Sequence, residues 1–261
     1  MIGKFIVSMA SHSKRVSTLS ICLDSIFSQT LKPQKVILYF DSSVTEASIP
    51  SEILTFTKMG LEIVFVSSDI ASHNKYYYTL RKYPDDIIIT VDDDVIYDKN
   101  TFYNLMKTHL KYPNAVCASR VTYMIFNNDK SIASYNNWLS EYNDLFYPSK
   151  KLVAVGVGGI LYPPHIFPEE TFDKTKIITL ALTADDLWLK FMELKNNISV
   201  VWTGQVPQHP QQIPHTKEVG LWNVINKYKN DEYIQKLISY YNIDLFSLTA
   251  EGGKGSWINH Y

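Results

Sequence analysis

The chain has 261 residues, 46% of them apolar, which is enough for a sizeable core and sits at the upper end of what one domain holds. Its 25 Lys and Arg nearly balance 26 Asp and Glu and are scattered, so the sequence carries neither a nucleic-acid footprint nor a polybasic membrane arm. The opening segment MIGKFIVSMASHSKR has too short an apolar run for a signal-sequence core or a membrane span, so a cytoplasmic protein is expected.

The first hundred residues alternate between two periodicities. KFIVSM (4–9) and KVILYF (35–40) are short β-branched and aromatic runs, and between them Val16, Leu19, Leu23, Ile26 and Phe27 fall at helical spacing. A helix led by Pro50 and stopped by Gly60 follows, then LEIVFV (61–66) as a third strand. Tyr76, Leu80 and Tyr83 repeat at i, i+4 and i+7, which predicts a helix over KYYYTLRKY, and DIIITV (86–91) is a fourth strand. Strands recurring with helices between them imply an α/β fold with a doubly wound, mainly parallel sheet.

The second half is less regular. NAVCAS (114–119) and KLVAVGVGG (151–159) read as strands, ADDLWLKFMELKN (184–196) as a helix and ISVVW (198–202) as another strand. A Pro- and Gln-rich loop (203–216) leads to expected helices near 219–228 and 231–241, and the last twenty residues read as a loose tail. Cys22 and Cys117 lie among apolar neighbours without Cys-x-x-Cys spacing and are expected to be buried thiols. No repeat or linker divides the chain, so residues 1–261 are expected to form one domain.

In an open α/β sheet, ligands bind outside the carboxyl ends of the strands. The residues there are Ser8, Ser11, His12 and Arg15 after the first strand, then Asp41, Ser42 and Ser43 after the second. Ser67, Ser68, Asp69, His73, Asn74 and Lys75 follow the third, and Asp92, Asp93 and Asp94 the fourth. No Gly-x-Gly-x-x-Gly follows the first strand and no Gly-x-x-x-x-Gly-Lys-Ser/Thr occurs, which disfavours dinucleotide and P-loop enzymes. Gly158 and Gly159 imply close backbone approach to a ligand, or a bulge.

Three adjacent carboxylates repel, so the triplet needs a cation, donors or solvent. If strand geometry persists, Asp92 and Asp94 share one face and Asp93 takes the other. Two such carboxylates suit a hard divalent cation, Mg²⁺ or Mn²⁺, whose remaining ligands are diphosphate oxygens. On that reading a metal-free state should leave Asp94 poorly paired. An EF-hand is excluded, because Ile96, Tyr97 and Tyr103 stand where it needs Asp or Asn, Gly and Glu. A turn-and-cap role for the aspartates stays open, while a two-metal hydrolase lacks His-x-His or His-Glu-x-x-His spacing.

Asp185 and Asp186 open a helix, where backbone amides favour anions. Thr183-Ala-Asp-Asp186 nearly spells a capping box, so a structural role competes with that of a base for an attacking hydroxyl.

The order and spacing of SMASHSKRVSTLSICLDSIFSQTLKPQKVILY, SHNKYYYTLRKYPDDIIITVDDDVIY, VGVGGILYPP and ADDLWL resemble a GT-A-fold glycosyltransferase of the inverting family two, of the type found with bacterial surface polysaccharide synthesis. The resemblance implies a nucleotide-binding half over 1–100, an acceptor and catalytic half over 101–242 and a tail over 243–261. It implies that Asp92-Asp93-Asp94 is the Asp-x-Asp motif, with Asp94 a direct metal ligand and Asp92 on the metal or the nucleotide sugar. Asp41 matches the acid that contacts the base, Lys75 the basic residue near ribose or diphosphate, and Arg15 and Asp93 join the donor-binding set. Asp186 matches the general base, Asp185 replaces the Glu beside it, and His215 or His209 would add a later metal ligand. Without Gln-x-x-Arg-Trp in the later loop, a non-processive enzyme is expected.

The implied cofactor is Mn²⁺ or Mg²⁺. The implied partners are a nucleotide-sugar donor, with a UDP-sugar first, and a glycan or lipid-linked glycan acceptor met at the inner face of the membrane through peripheral association. Two alternatives stand beside it: a sugar-1-phosphate nucleotidyltransferase, which would want a Gly-rich loop after the first strand, and a non-catalytic carbohydrate- or metal-binding module.

Overall fold

A computed structural model describes residues 3–67, 70–214, 216 and 227–250. The first half follows the expected alternation: strand β1 (Phe5–Ser11), helix α1 (Leu19–Phe27), β2 (Lys35–Phe40), α2 (Ser51–Thr55), β3 (Leu61–Phe65), α3 (Asn74–Lys82) and β4 (Ile87–Thr90). Gly60 ends the α2 segment with φ of 102°, a left-handed conformation that glycine adopts without a Cβ penalty. Next come β5 (Val95–Ile96), α4 (Thr101–Lys111), β6 (Val116–Ala118), β7 (Val121–Tyr123), β8 (Leu139–Ser140), β9 (Leu152–Ala154) and β10 (Ile160–Tyr162). The chain continues through α5 (Lys174–Ala181), α6 (Asp185–Lys195), β11 (Val200–Trp202), β12 (Gln211–Gln212), α7 (Lys227–Tyr241) and α8 (Leu245–Thr249).

Seven strands form the central sheet in the order β11-β6-β10-β4-β1-β2-β3. All neighbours are parallel except β10, which runs antiparallel to both β4 and β6. The alternation of side chains along each strand divides the core in two. Phe5, Val7 and Met9 of β1 join Leu19, Leu23 and Ile26 of α1 and Phe102, Leu105 and Met106 of α4 on one face. Ile6 of β1, Ile37 of β2 and Ile88 of β4 join Tyr76 of α3, Trp188 of α6 and Leu237 of α7 on the other. Both faces are therefore covered, which is the condition for a parallel sheet.

Three differences from the sequence reading have local causes. KLVAVGVGG is not one strand: β9 leaves the central sheet for a small antiparallel sheet β8-β7-β9, a tight turn over Gly156–Gly158 follows, and β10 then enters the centre. Four apolar residues in a row hid that change of sheet, because periodicity cannot separate two short buried strands joined by a turn. Within the expected tail, Leu245–Thr249 is a helix whose Leu245 and Leu248 are buried, with the Asp244 side chain accepting from Ser247 N as its cap. The expected helix near 219–228 lies mostly outside the described residues, as do Ser68 and Asp69, whereas that near 231–241 is part of α7. Among the described residues no helix is long and apolar enough to cross a membrane, and Cys22 and Cys117 are free, buried thiols.

Topology gathers the polar ends of these strands. Ile160 at the start of antiparallel β10 pairs with Thr90 at the end of β4 and with Ala118 at the end of β6. The turn before β10 is thereby set against the Asp triplet after β4. Trp202 ends β11 level with Ala118, so the 203–216 loop leaves from the same edge. Its β12 strand pairs with β5 and ties Gln212 to the triplet.

Candidate active site

β4 stops at Thr90, and the three aspartates follow in irregular backbone between β4 and β5. Strand alternation therefore does not sort them. Arg15, from the turn after β1, places Nη1 2.6 Å from Asp93 Oδ1 and 2.7 Å from Asp94 Oδ2, so Asp93 and Asp94 share one cation. Asp92 faces another cation: Lys75 Nζ lies 2.7 Å from Asp92 Oδ1 and 2.8 Å from Asp185 Oδ2. The expected grouping of Asp92 with Asp94 against Asp93 is thus replaced by Asp93 with Asp94, because the backbone leaves strand geometry before the triplet begins. Asp94 is not poorly paired either, since Gln212 Nε2 adds a contact at 3.2 Å to the one from Arg15.

Neighbouring groups fix this arrangement. The Asp92 amide donates to Tyr97 Oη at 2.8 Å, and the Cys22 thiol donates to the Asp92 carbonyl. Ser8 Oγ of β1 donates to the Lys75 carbonyl at 2.5 Å, which locks the first turn of α3 onto the sheet. The Ile213 amide and the Thr216 hydroxyl both donate to the Asp94 carbonyl, tying the late loop to it.

Asp185 and Asp186 start α6. The capping position falls on Ala184, not on Thr183, whose hydroxyl meets Tyr233 Oη at 3.0 Å. The near-capping-box sequence therefore does not make these two acids mere caps. α6 is buried nearly all round, through Leu187, Trp188, Leu189, Phe191, Met192 and Leu194 and also Lys190 and Glu193. Each such apolar side chain stabilises by about 1.5–3 kcal/mol, so the helix that carries the acids is firmly seated. The Asp186 carboxylate accepts from the Gly156 amide with both oxygens, at 3.1 and 3.2 Å.

A side chain at Gly156 would crowd the charged cluster. A Cβ there would lie 2.5 Å from Lys75 Nζ, 3.2 Å from Asp186 Oδ1 and 3.5 Å from Asp92 Oδ1. These three distances show that Lys75, Asp92 and Asp186 converge on one point of the turn before β10. The sequence reading singled out Gly158 and Gly159 and missed Gly156, since only the fold reveals which glycine meets the cluster. Gln212 was missed too, and no sequence signal marks it.

Burial, followed by the charge of Asp185, pushes the Asp186 carboxyl up to about 8, with Lys75 opposing and Asp92 adding to the rise. Burial, partly opposed by Lys75, also raises Asp92. Asp185 stays lowered: burial would raise it, but Lys75, His73 and Ser72 together more than compensate. The cluster holds five carboxyls against two cations, so with Asp186 protonated a net charge of minus two remains.

Asp41 and His209 stand apart from this cluster. Asp41 accepts from the amide of Ser43 at 2.9 Å and from its hydroxyl, closing its own turn after β2. His209 Nδ1 lies 2.6 Å from the carbonyl of the adjacent Pro210. His215 lies outside the described residues. Among the described residues no three His, Cys, Asp or Glu side chains are placed to hold a metal ion. What Asp92 and Asp94 can offer is two carboxylates, with Asp93 Oδ2 buried beside them and unpartnered among the described residues. That donor set and its residual charge fit a divalent cation that completes its shell with water and substrate oxygens.

A mixed sheet with one antiparallel strand, helices on both faces and an acidic cluster at the strand ends defines a GT-A, Rossmann-like fold. The solved structures with this fold include a mannosyltransferase, PcManGT from Pyrobaculum calidifontis, in complex with GDP-Man and Mn²⁺, with a TM-score of 0.57, 12% identity and 91% of this chain covered. S. aureus TarS 1-349 in complex with UDP is similar at a TM-score of 0.48 and 15% identity over 76% of this chain. The chain covers 63% of the first structure's length and 58% of the second's. The chain belongs to glycosyl transferase family 2, whose family model matches residues 7–162, more than half of it. No curated protein matches.

Proposed function

We propose that the chain is an inverting, non-processive glycosyltransferase that moves a sugar from a nucleotide-sugar donor to a hydroxyl of a glycan or lipid-linked glycan, in surface polysaccharide synthesis at the inner face of the membrane. The observation that carries the reading is Asp186: a half-buried carboxyl at about 8, gripped by the Gly156 amide and set beside the Lys75–Asp92 pair. Family membership and the GT-A fold support the same reading.

In this mechanism Asp186 accepts the proton of the acceptor hydroxyl as that oxygen bonds to the anomeric carbon. The bond from that carbon to the phosphate oxygen breaks on the opposite side, and the nucleoside diphosphate leaves with the electron pair. A base near 8 is matched to work close to neutral pH. Lys75, helped by His73, keeps Asp185 ionised against its burial and holds Asp92 and Asp185 together, so Asp186 stays aimed from the helix start. Asp94, with Asp92, would hold Mn²⁺ or Mg²⁺, which when bound supplies positive charge to the departing diphosphate. Asp41, the residue after β2, would meet the nucleotide base at the carboxyl end of the sheet.

The test is nucleotide release from UDP-, GDP-, CMP- and dTDP-sugars with and without Mn²⁺. Release from one donor class, abolished by a chelator, is expected. Asp186→Asn should bind that donor normally and lose about 10²–10⁴ in turnover. Normal turnover by this variant removes the base assignment, and no release from any donor removes the enzyme reading.

A further inference from the structure

Arg15 stands where a divalent cation would be expected to act. Its Nη1 serves Asp93 and Asp94 at once, at 2.6 and 2.7 Å, and both Arg15 and Asp93 are 7% exposed. The corner is nonetheless incomplete: Arg15 Nε and Asp93 Oδ2 are buried with no hydrogen-bond partner among the described residues. One guanidinium nitrogen thus carries two carboxylates while part of the guanidinium and one carboxylate oxygen stay unsatisfied. Arginine pairs as readily with phosphate as with carboxylate, through the same planar fork of donors. The backbone on either side is tied down, with Arg15 N donating to the His12 carbonyl at 2.9 Å and Thr18 N to the Arg15 carbonyl at 3.0 Å. Exchange of partners is therefore a matter of side-chain torsions, not of loop movement.

We infer that Arg15 is an internal counter-cation, which neutralises Asp93 and Asp94 in the absence of a divalent cation and passes to the diphosphate of a nucleotide when that cation takes the Asp94 carboxylate. The inference rests on reading the site as one for nucleotide sugars. It has a thermodynamic consequence. A cation arriving alone must take the Asp94 carboxylate from a buried guanidinium, which is costly, whereas a diphosphate gives that guanidinium a new partner. Cation and nucleotide binding are then coupled through Arg15, and by linkage each strengthens the other by the same factor.

The experiment measures Mn²⁺ binding to the full chain by electron paramagnetic resonance, alone and with UDP or GDP, for the wild type, Arg15→Gln and the exposed control Arg81→Gln. Removing Arg15 should tighten Mn²⁺ binding in the absence of nucleotide by about tenfold and shrink the nucleotide-dependent gain by a similar factor. Arg81→Gln should change neither. If Arg15 served only to hold the fold, its loss would weaken Mn²⁺ binding, so equal or weaker binding by Arg15→Gln overturns the inference. Should Arg15→Gln fail to fold, Arg15→Lys, which keeps the charge but loses the fork, is expected to move both quantities the same way by less, and no change in it also overturns the inference. A wild type that binds UDP or GDP but no Mn²⁺ overturns the inference alone, and one that binds neither nucleotide with or without Mn²⁺ overturns the nucleotide-sugar reading as well.

Discussion

Substituting Gly156 by Ala isolates the geometry of the site from the stability of the fold. Gly156 is not among the residues of positive φ, so alanine fits its backbone. What it cannot fit is Lys75, whose Nζ lies 2.5 Å from the new Cβ. Ordinary contact requires that nitrogen to retreat by about 1 Å, and its pairs with Asp92 and Asp185, now 2.7 and 2.8 Å, would stretch beyond hydrogen-bond range. The atom that yields is the far end of a flexible side chain, so overpacking should cost the fold only about 1–3 kcal/mol. The catalytic cost is of similar size but falls on turnover and not on folding, because a misplacement of about 1 Å near the reacting groups is worth about 10² in rate, or about 2.7 kcal/mol. Urea unfolding read beside nucleotide release measures both: a folded variant with roughly hundredfold slower release is expected. A Gly156→Ala enzyme within about threefold of wild-type turnover would refute the claim that this turn positions Lys75 and Asp186.

Gly158→Ala should behave in the opposite way, because its Cβ would meet the Arg120 backbone nitrogen at 2.7 Å and Arg120 Cβ at 2.5 Å, atoms that cannot swing aside. A loss of about 3 kcal/mol, seen as a lowered thermal midpoint, is expected, and an unchanged midpoint would show that the two segments can part freely. The Asp186 carboxyl, raised to about 8, keeps its proton in the folded state where the unfolded chain, near 3.9, has lost it. Stability from this group therefore falls as pH rises from about 4 to about 8, and Asp186→Asn should flatten that slope in urea midpoints taken across the window. The Lys190–Glu193 pair on α6 is 3.2 Å apart with both residues at most 2% exposed. Glu193→Ala, which strands Lys190, should cost about 3–5 kcal/mol, and the double change Lys190→Met with Glu193→Leu should regain most of it by the same denaturation assay.

The sequence made the first half of the fold legible because each element there obeys one period for long enough to be seen. Leu19, Leu23 and Ile26 mark α1, and the β-branched runs mark β1 to β4. The second half resisted for a physical reason: β6, β7, β9 and β10 are three residues each and all buried or nearly so, too short to show alternation. Among site residues, Arg15, Lys75, the Asp triplet, Asp185 and Asp186 were all picked out by their place after a strand or at a helix start, and they are brought together. Their pairing was not legible, since it depends on where β4 ends, at Thr90, two residues before Asp92. Gly156 and Gln212 were invisible because their roles come from β10 running antiparallel and from β12 pairing with β5.

The crowding of three aspartates becomes affordable once the origin of their counter-charges is traced. One cation comes from the turn after β1 and the other from the first turn of α3, so neither is a sequence neighbour of the triplet. Each is divided between two carboxylates, which leaves the cluster under-neutralised even with the proton on Asp186. Burial first, and that deficit second, hold Asp186 at about 8, since Asp185 and Asp92 both press on it and Lys75 answers only in part. Adding positive charge near Asp92 and Asp94 would relieve the pressure and ease the proton from Asp186. The acidic triplet and the helix-start acids thus behave as one electrostatic unit, with Lys75 as the joint between Asp92 and Asp185.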